Sequence, residues 1–175
     1  TAAEHKEDFL LNFYSMNKEA IEAKGPNEPY AYVISADQHD YLTTLKMLDI
    51  LMIGGVEVHQ ADQSFLADQR SYPTGSFVVP MSQPYRPYVK ALLGPQKYPE
   101  MRQYPGGPPV PPYDNAAWTL PMLMGVDLQL IKNPFDAKLR KLTTAPYPGV
   151  TAPAGTPAYL VLDGDQAGQK RTNEV

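Results

Sequence analysis

The sequence predicts an α/β layered fold, in which a central, mostly parallel β-sheet is flanked by helices. Three observations support this prediction. Short apolar runs rich in β-forming residues alternate with helical patterns along the chain. One strand–helix–strand unit is about 30 residues long, which is the size of a right-handed parallel crossover. The chain has 175 residues, of which 43% are hydrophobic, so one domain with a buried core is expected.

The first element is a helix over residues 1–24. Thr1 and Glu4 have the spacing of a capping box, and Gly25 followed by Pro26 stops the helix. Its broad, mainly apolar face comprises Phe9, Leu10, Phe13, Asn17, Ala20, Ile21 and Lys24. We expect such a face to be buried by packing against another part of the protein or against a partner. We therefore assign residues 1–25 to a connector helix and residues 26–175 to the α/β domain.

The strand–helix–strand unit comes next. Residues 30–35 form an apolar run typical of a buried strand. Asp37 is the predicted N-cap of a helix whose apolar residues recur at helical spacing from Tyr41 to Ile53. Gly54 and Gly55 end this helix, and a second strand is expected over residues 56–60.

Three further strands and two short helices complete the predicted fold. The strands are expected near residues 76–81, 126–131 and 158–162, and the helices near residues 85–93 and 113–124. Pro80 confines the first of these strands to a strand end or a sheet edge. Asp114 is the expected cap of the second helix.

An internal similarity links the first and last predicted strands. The run AYVISADQ at residues 31–38 resembles AYLVLDGDQ at residues 158–166, with one insertion. Two equivalent strand-to-helix corners would explain the similarity, and chance is a fair alternative. After the last strand, residues 164–175 either form a polar tail or lead into a longer natural chain.

Composition excludes several classes of site. The absence of cysteine rules out disulfides, thiolate metal sites and a cysteine nucleophile. The three histidines lack the spacing of a zinc site within one helix, and no serine lies in a GxSxG motif. A net charge of −4 and a pI near 5.3 argue against nucleic-acid binding. No apolar run approaches the ~20 residues of a membrane span. We expect no catalytic residue, metal or cofactor in this chain.

The corner after the first strand is the first candidate binding region. Asp37 and His39 follow that strand, and ligands of open α/β sheets bind at the carboxyl ends of strands. A small-molecule enzyme would use this corner. The alternative is an ordinary helix cap with solvated polar neighbours.

A second candidate surrounds the single tryptophan, Trp118. The apolar residues that follow it predict that Trp118 anchors a short helix to the sheet as a core residue. The alternative is that Tyr113, Asp114 and Trp118, together with Arg86, line a surface that contacts a ligand or another domain.

The segment over residues 95–113 is rich in proline and tyrosine. Residues 105–112, PGGPPVPP, are typical of a polyproline helix that could dock into an aromatic groove of a partner. An independent protein-interaction module would present this segment. The alternative is a rigid, ordered surface loop.

Three stretches of the chain resemble a known family. They are PYAYVISADQ with the following helix and GGVEVHQA, RSYPTGSFVVPMSQPYRPYVKALLGPQ, and PPYDNAAWTLPMLMGVDLQL. Together they resemble the region that follows the catalytic domain in large bacterial zinc carboxypeptidase-like proteins. The opening EDFLLNFYSMNKEAI resembles the connector between those two parts, so the resemblance covers roughly residues 4–131.

This resemblance implies a class I glutamine amidotransferase-like fold, which is a flavodoxin-like three-layer α/β/α sandwich. It implies a non-catalytic accessory domain whose partner is the upstream peptidase domain of the same polypeptide, with self-association as a further contact. Zinc is implied only for that upstream domain. A periplasmic or secreted location is implied because members of the family commonly carry export signals.

No catalytic residue is carried over from the family. Amidotransferases of this class use a cysteine nucleophile, which this chain lacks. The HxxE motif of the carboxypeptidases is also absent, because the residues three positions after the histidines are Asp8, Leu42 and Asp62.

Overall fold

The computed structural model describes residues 3–22, 28–95, 99–111 and 118–148. Within these ranges the chain forms four helices and seven strands. In chain order they are α1 (Lys6–Glu22), β1 (Ala31–Ile34), α2 (Tyr41–Ile53), β2 (His59–Ala61), β3 (Phe65–Ala67), β4 (Arg70–Tyr72), β5 (Phe77–Pro80), α3 (Arg86–Leu93), α4 (Leu120–Met124), β6 (Leu128–Ile131) and β7 (Leu139–Lys141).

Five of the strands form one sheet in the order β6-β1-β5-β2-β7, and each neighbouring pair is antiparallel. Strands β3 and β4 form a separate antiparallel hairpin. The predicted mostly parallel sheet is therefore wrong, and so is the three-layer α/β/α sandwich. The protein has a mixed α/β fold built on an antiparallel sheet.

The strand–helix–strand unit exists, but its two strands are not neighbours. Strands β1 and β2 each pair with β5 in the antiparallel sense, so they run parallel to one another with β5 between them. This is a split β–α–β arrangement. The spacing of the unit in sequence indicates a crossover of the right size, but it does not show that a later strand will fill the gap.

Both faces of the sheet are covered. In β1, Tyr32 and Ile34 point towards a core beneath α2, α3 and α4, whereas Ala31 and Val33 point towards the β3–β4 hairpin. A strand buried on both faces is a continuous apolar run, which is the pattern usual for parallel sheets. The hairpin cover thus explains why the sequence pattern led to the wrong sheet type.

Helix α2 begins at a different cap from the one expected. The carboxylate of Asp40, and not that of Asp37, accepts hydrogen bonds from the Thr43 backbone N–H at 2.8 Å and from its hydroxyl at 2.6 Å. At the other end, a Cβ on Gly54 would lie 2.5 Å from the ring of Tyr88. The glycine pair therefore permits close packing of α3 where α2 ends.

The β3–β4 hairpin turns through Asp68 and Gln69, whose φ angles are +44° and +64°. Phe65 stacks on Tyr72 within the hairpin at 5.2 Å between ring centroids, and on Phe135 at the same distance. These rings cover the second face of the sheet. The turn lacks the Asn-Gly or Asp-Gly pair that marks such hairpins, so the sequence did not predict it.

The predicted elements are confirmed unevenly. The strands expected near residues 30–35, 76–81 and 126–131 correspond to β1, β5 and β6, and Pro80 ends β5 as expected. Strand β2 starts later than predicted, at His59, and β7 was not predicted. The strand expected at residues 158–162 lies outside the described residues. No helix in the described parts of the chain has the length and apolar character needed to span a bilayer.

Candidate interaction surface

The corner after β1 is built from structural hydrogen bonds. The Ser76 hydroxyl accepts the Ala36 N–H at 3.1 Å, and the Gln38 side chain both accepts the Asp127 N–H and donates to its carbonyl. Asp37 and His39 are exposed beside these groups. Neighbouring strands of an antiparallel sheet run in opposite directions, so their carboxyl ends lie at opposite ends of the sheet. They do not converge on one crevice as they do in parallel sheets. The reason for expecting a ligand at Asp37 and His39 is therefore removed.

Arg86 belongs to a structural ion cluster. Its side chain is only 6% exposed and lies 2.7 Å from the Glu28 carboxylate, which also binds Lys90 at 3.0 Å. The guanidinium also approaches the Met81 carbonyl at 3.4 Å. Hydrogen bonds from Arg86 and Lys90 lower the pKa of Glu28 below its usual value. Arg86 thus joins α3 to the segment before β1 and does not face a ligand pocket.

Trp118 is 48% exposed and precedes α4, which begins at Leu120. Its assignment as a core anchor is wrong. Helix α4 has five residues and partly buries Leu120 and Met124, while Met122 is 76% exposed. So short a helix covers the sheet with one side only. The other predicted members of this surface, Tyr113 and Asp114, lie outside the described residues.

A shallow cavity of about 260 Å³ lies where α3, α4 and the start of β6 meet. Its lining residues are Leu93, Pro95, Thr119, Pro121, Met122, Val126, Asp127 and Leu128. Seven of these are uncharged, and most are apolar. Such a lining suits an apolar side chain and offers no arrangement of acid, base and nucleophile. The sequence did not reveal this cavity because its apolar residues resemble ordinary core.

Helix α1 is the most exposed apolar element in the described part of the chain. It is 17 residues long, and none of its residues is buried. Seven large apolar side chains are between 43% and 68% exposed: Phe9, Leu10, Leu11, Phe13, Tyr14, Met16 and Ile21. The helix contacts α3 near its last turn, where Arg86 approaches the Ala20 carbonyl at 3.5 Å. Away from this contact, the apolar face predicted from the sequence has no cover among the described residues.

The described part of the Pro/Tyr-rich segment, residues 99–111, closes on itself. The Val110 N–H donates to the Met101 carbonyl at 2.8 Å, and Arg102 pairs with Pro109 as an isolated bridge. The Arg102 guanidinium also donates to the Gly107 carbonyl at 2.9 Å. A polyproline helix has no internal hydrogen bonds, so these residues match the ordered-loop alternative better than an extended ligand.

The remaining polar chemistry is also structural. Within the described ranges, every fully buried side-chain nitrogen and oxygen has a hydrogen-bond partner, and no group of three or more acidic, histidine or cysteine residues could hold a metal ion. The site that the geometry does offer is therefore apolar contact surface on α1 and around α4.

No protein-family model matches this chain, and neither the curated proteins nor the solved structures include a match. The resemblance to zinc carboxypeptidase-like proteins thus stays a hypothesis for function, and the fold it implied is corrected by the antiparallel sheet.

Proposed function

We propose that this chain is a non-catalytic accessory domain that binds its partner through α1. The observation that carries the proposal is the apolar exposure of that helix. A soluble protein seldom exposes a large contiguous apolar surface unless the surface binds something. An amphipathic helix that lays its apolar face into a groove is a common mode of association.

The partner we propose is a zinc carboxypeptidase-like domain upstream in the same polypeptide. The support is the resemblance of α1 to the connector of that family, together with how α1 is held. Its last turn lies against Arg86 of α3, whereas Phe9 and Phe13 near the opposite end are exposed. A helix attached at one end is placed to bridge two domains.

The test is binding of the 175-residue chain to that upstream domain, produced separately and titrated by calorimetry. The variant Phe9→Ser/Phe13→Ser should weaken binding by about tenfold or more, because buried aromatic side chains dominate most interfaces. Because both side chains are exposed, the thermal unfolding midpoint should stay unchanged. The matched control Glu7→Ser/Asn12→Ser, at other exposed positions of α1, should bind like the unaltered chain.

Three outcomes would contradict this proposal. One is a gene that encodes no peptidase-like domain upstream. Another is binding that survives the Phe9→Ser/Phe13→Ser change. The third is a chain that forms dimers by itself and loses them in the same variant, because self-association would then be the role of α1.

The alternative proposal is an interaction module that uses residues 95–113. It is favoured by one feature of the described loop, the exposure of Met101 and Tyr104 on an ordered turn. Binding that is lost in Tyr104→Ala and retained in Phe9→Ser/Phe13→Ser would favour this module over α1.

A further inference from the structure

The Arg86 side chain lies where three segments of the chain meet. Its Nη2 donates to the Glu28 carboxylate at 2.7 Å, and its Nη1 approaches the Ala20 and Met81 carbonyl oxygens at 3.5 Å and 3.4 Å. Ala20 belongs to the last turn of α1, Glu28 precedes β1, and Met81 follows β5. We call Arg86 and these three acceptors the Arg86 cluster. It joins the end of α1 to two points of the domain.

The domain side of the Arg86 cluster is firmly held. Met81 is buried, and its N–H donates to the Tyr30 carbonyl at 3.0 Å beside the start of β1. The Glu28 carboxylate also binds Lys90, one turn further along α3, at 3.0 Å. The Arg86 side chain itself is only 6% exposed. Contacts within the domain therefore fix the guanidinium in the orientation in which it meets α1.

The last turn of α1 benefits from a cation. The last four carbonyl groups of a helix have no partner within the helix, and together they carry a partial negative charge. The last turn of α1 contains Glu19 and Glu22 and no basic residue. Arg86 thus brings, from another element, a positive charge and an N–H donor that this turn does not provide for itself.

The position of Arg86 in its own helix does not explain the arrangement. Arg86 is the first residue of α3, where the positive end of the helix dipole disfavours a cation. Burying a guanidinium also costs free energy unless it is paired and hydrogen-bonded. The stabilising contacts of this side chain must therefore come from its acceptors, among them Ala20 and Glu28.

The Arg86 cluster bridges the joint between α1 and the sheet. Ala20 and Glu28 are eight positions apart in the sequence, and one guanidinium contacts both. Elements joined by a short stretch of chain move relative to one another unless contacts between them prevent it. From Ala20 to Glu7 the helix rises by about 20 Å, so a tilt of about 15° at Ala20 would displace Glu7 by about 5 Å.

We propose that Arg86 is a positioning residue for α1, whose guanidinium holds the last turn of the helix against Glu28 and Met81 and so sets the direction in which α1 leaves the domain. The inference rests on the function proposed above only for the purpose of that direction, which is to present Phe9 and Phe13 to the partner. A helix held in one direction loses less freedom on binding.

Pulsed electron paramagnetic resonance on the free 175-residue chain tests the proposal. Because the chain has no cysteine, Glu7→Cys in α1 and Lys46→Cys in α2 place the only two nitroxide labels at exposed positions. We expect one narrow distribution of distances between them. Arg86→Met should widen it about twofold or more, because the end of α1 is then no longer fixed. Arg86→Lys should widen it too, since one ammonium does not replace the guanidinium fork.

Lys90→Met is the matched control. It removes the other cation from Glu28 and leaves the Arg86 contacts in place, so the distribution should stay as narrow as in the unaltered chain. Glu28→Ala is a second way to loosen the Arg86 cluster, and it should also widen the distribution. The Glu28 side chain is 32% exposed, so this variant should fold even if Arg86→Met does not. Circular dichroism of each variant checks that it is folded.

Four results would overturn the proposal. A wide distribution in the unaltered chain would show that α1 is not fixed. A narrow distribution in folded Arg86→Met or in Glu28→Ala would show that the Arg86 cluster does not fix it. A narrow distribution in Arg86→Lys, or equal widening in Lys90→Met, would show that local charge sets the direction and the guanidinium fork does not.

This experiment is separate from the binding test of α1, because the labelled chain is measured without a partner. If the widths do not change but binding still requires Phe9 and Phe13, the positioning role of Arg86 is wrong and the proposed function stands. If the widths change as expected but the upstream domain does not bind, the proposed function is wrong and the positioning role stands.

Discussion

At the scale of single residues, one described candidate side chain makes a structural contact: Arg86 holds Glu28 in an ion pair. Asp37 and His39 are exposed, and the neighbouring side chains of Gln38 and Asp40 make the structural contacts of that corner. Trp118 is half exposed and precedes α4. The sequence shows which polar and aromatic residue types are present, but it does not show which groups they contact.

We expect Trp118 to behave as a surface residue. Its fluorescence should have the red-shifted maximum of a solvated indole and should be quenched efficiently by acrylamide. Trp118→Ala should change the free energy of unfolding by no more than about 0.5 kcal/mol, because surface substitutions rarely do more. Since the chain has one tryptophan, the signal is unambiguous. A blue-shifted, unquenched indole, or a loss of about 3–5 kcal/mol on truncation, would contradict the exposed position.

At the scale of elements, the β3–β4 hairpin has a strained turn. Gln69 has a φ of +64°, a left-handed conformation that residues with a side chain rarely adopt. Asp68 shares the conformation, but its carboxylate binds two backbone N–H groups and the Asn133 side chain. The turn thus connects the hairpin to the chain after β6, and this contact compensates for the strain at Asp68 but not at Gln69.

Gln69→Gly should therefore stabilise the protein. Glycine adopts the left-handed region without a Cβ clash, so we expect a gain of about 1 kcal/mol in the free energy of unfolding. Urea denaturation measures the change. Ser71→Gly, at an exposed position of β4, is the matched control and should lose about 0.5–1 kcal/mol. A loss of stability in Gln69→Gly would show that the Gln69 side chain makes a contact that outweighs the strain.

Elements with a strong apolar pattern could be predicted, whereas three short strands could not. Helix α2 and strands β1, β5 and β6 have strong apolar patterns, and their predicted positions are confirmed. Strands β3, β4 and β7 have three residues each, too few for a periodic signal to appear. The prediction that Trp118, just before α4, is a core residue was wrong for another reason. Exposed apolar residues in this part of the chain have the same sequence pattern as buried ones.

At the scale of the whole molecule, three carboxylates connect distant parts of the chain. Glu28 binds Arg86 of α3, Glu57 binds Lys141 of β7, and Asp68 binds the backbone after β6. Each of these contacts favours the charged carboxylate and lowers its pKa, chiefly through the hydrogen bond it accepts.

The protein should therefore lose stability in acid. A carboxylate whose pKa is lower in the folded state stabilises the fold above its unfolded value, which is 4.5 for Glu28 and Glu57 and 3.8 for Asp68. That contribution is lost as the pH falls through the folded pKa. Urea midpoints measured from about pH 6 to about pH 3 should decrease, and Glu28→Gln should show a shallower decrease. Midpoints that stay constant or rise in acid would contradict this prediction.

The sequence by itself determined the positions of helices α2 and α3 and of strands β1, β5 and β6, because hydrophobic periodicity is a local property of a few adjacent residues. It also excluded thiol chemistry through the absence of cysteine. The tertiary structure alone decided strand order and direction. Those depend on β5 entering between β1 and β2 and on a hairpin covering the second face, which are contacts between residues far apart in the chain. It likewise decided which apolar residues are exposed, since burial depends on neighbours that a local pattern does not contain.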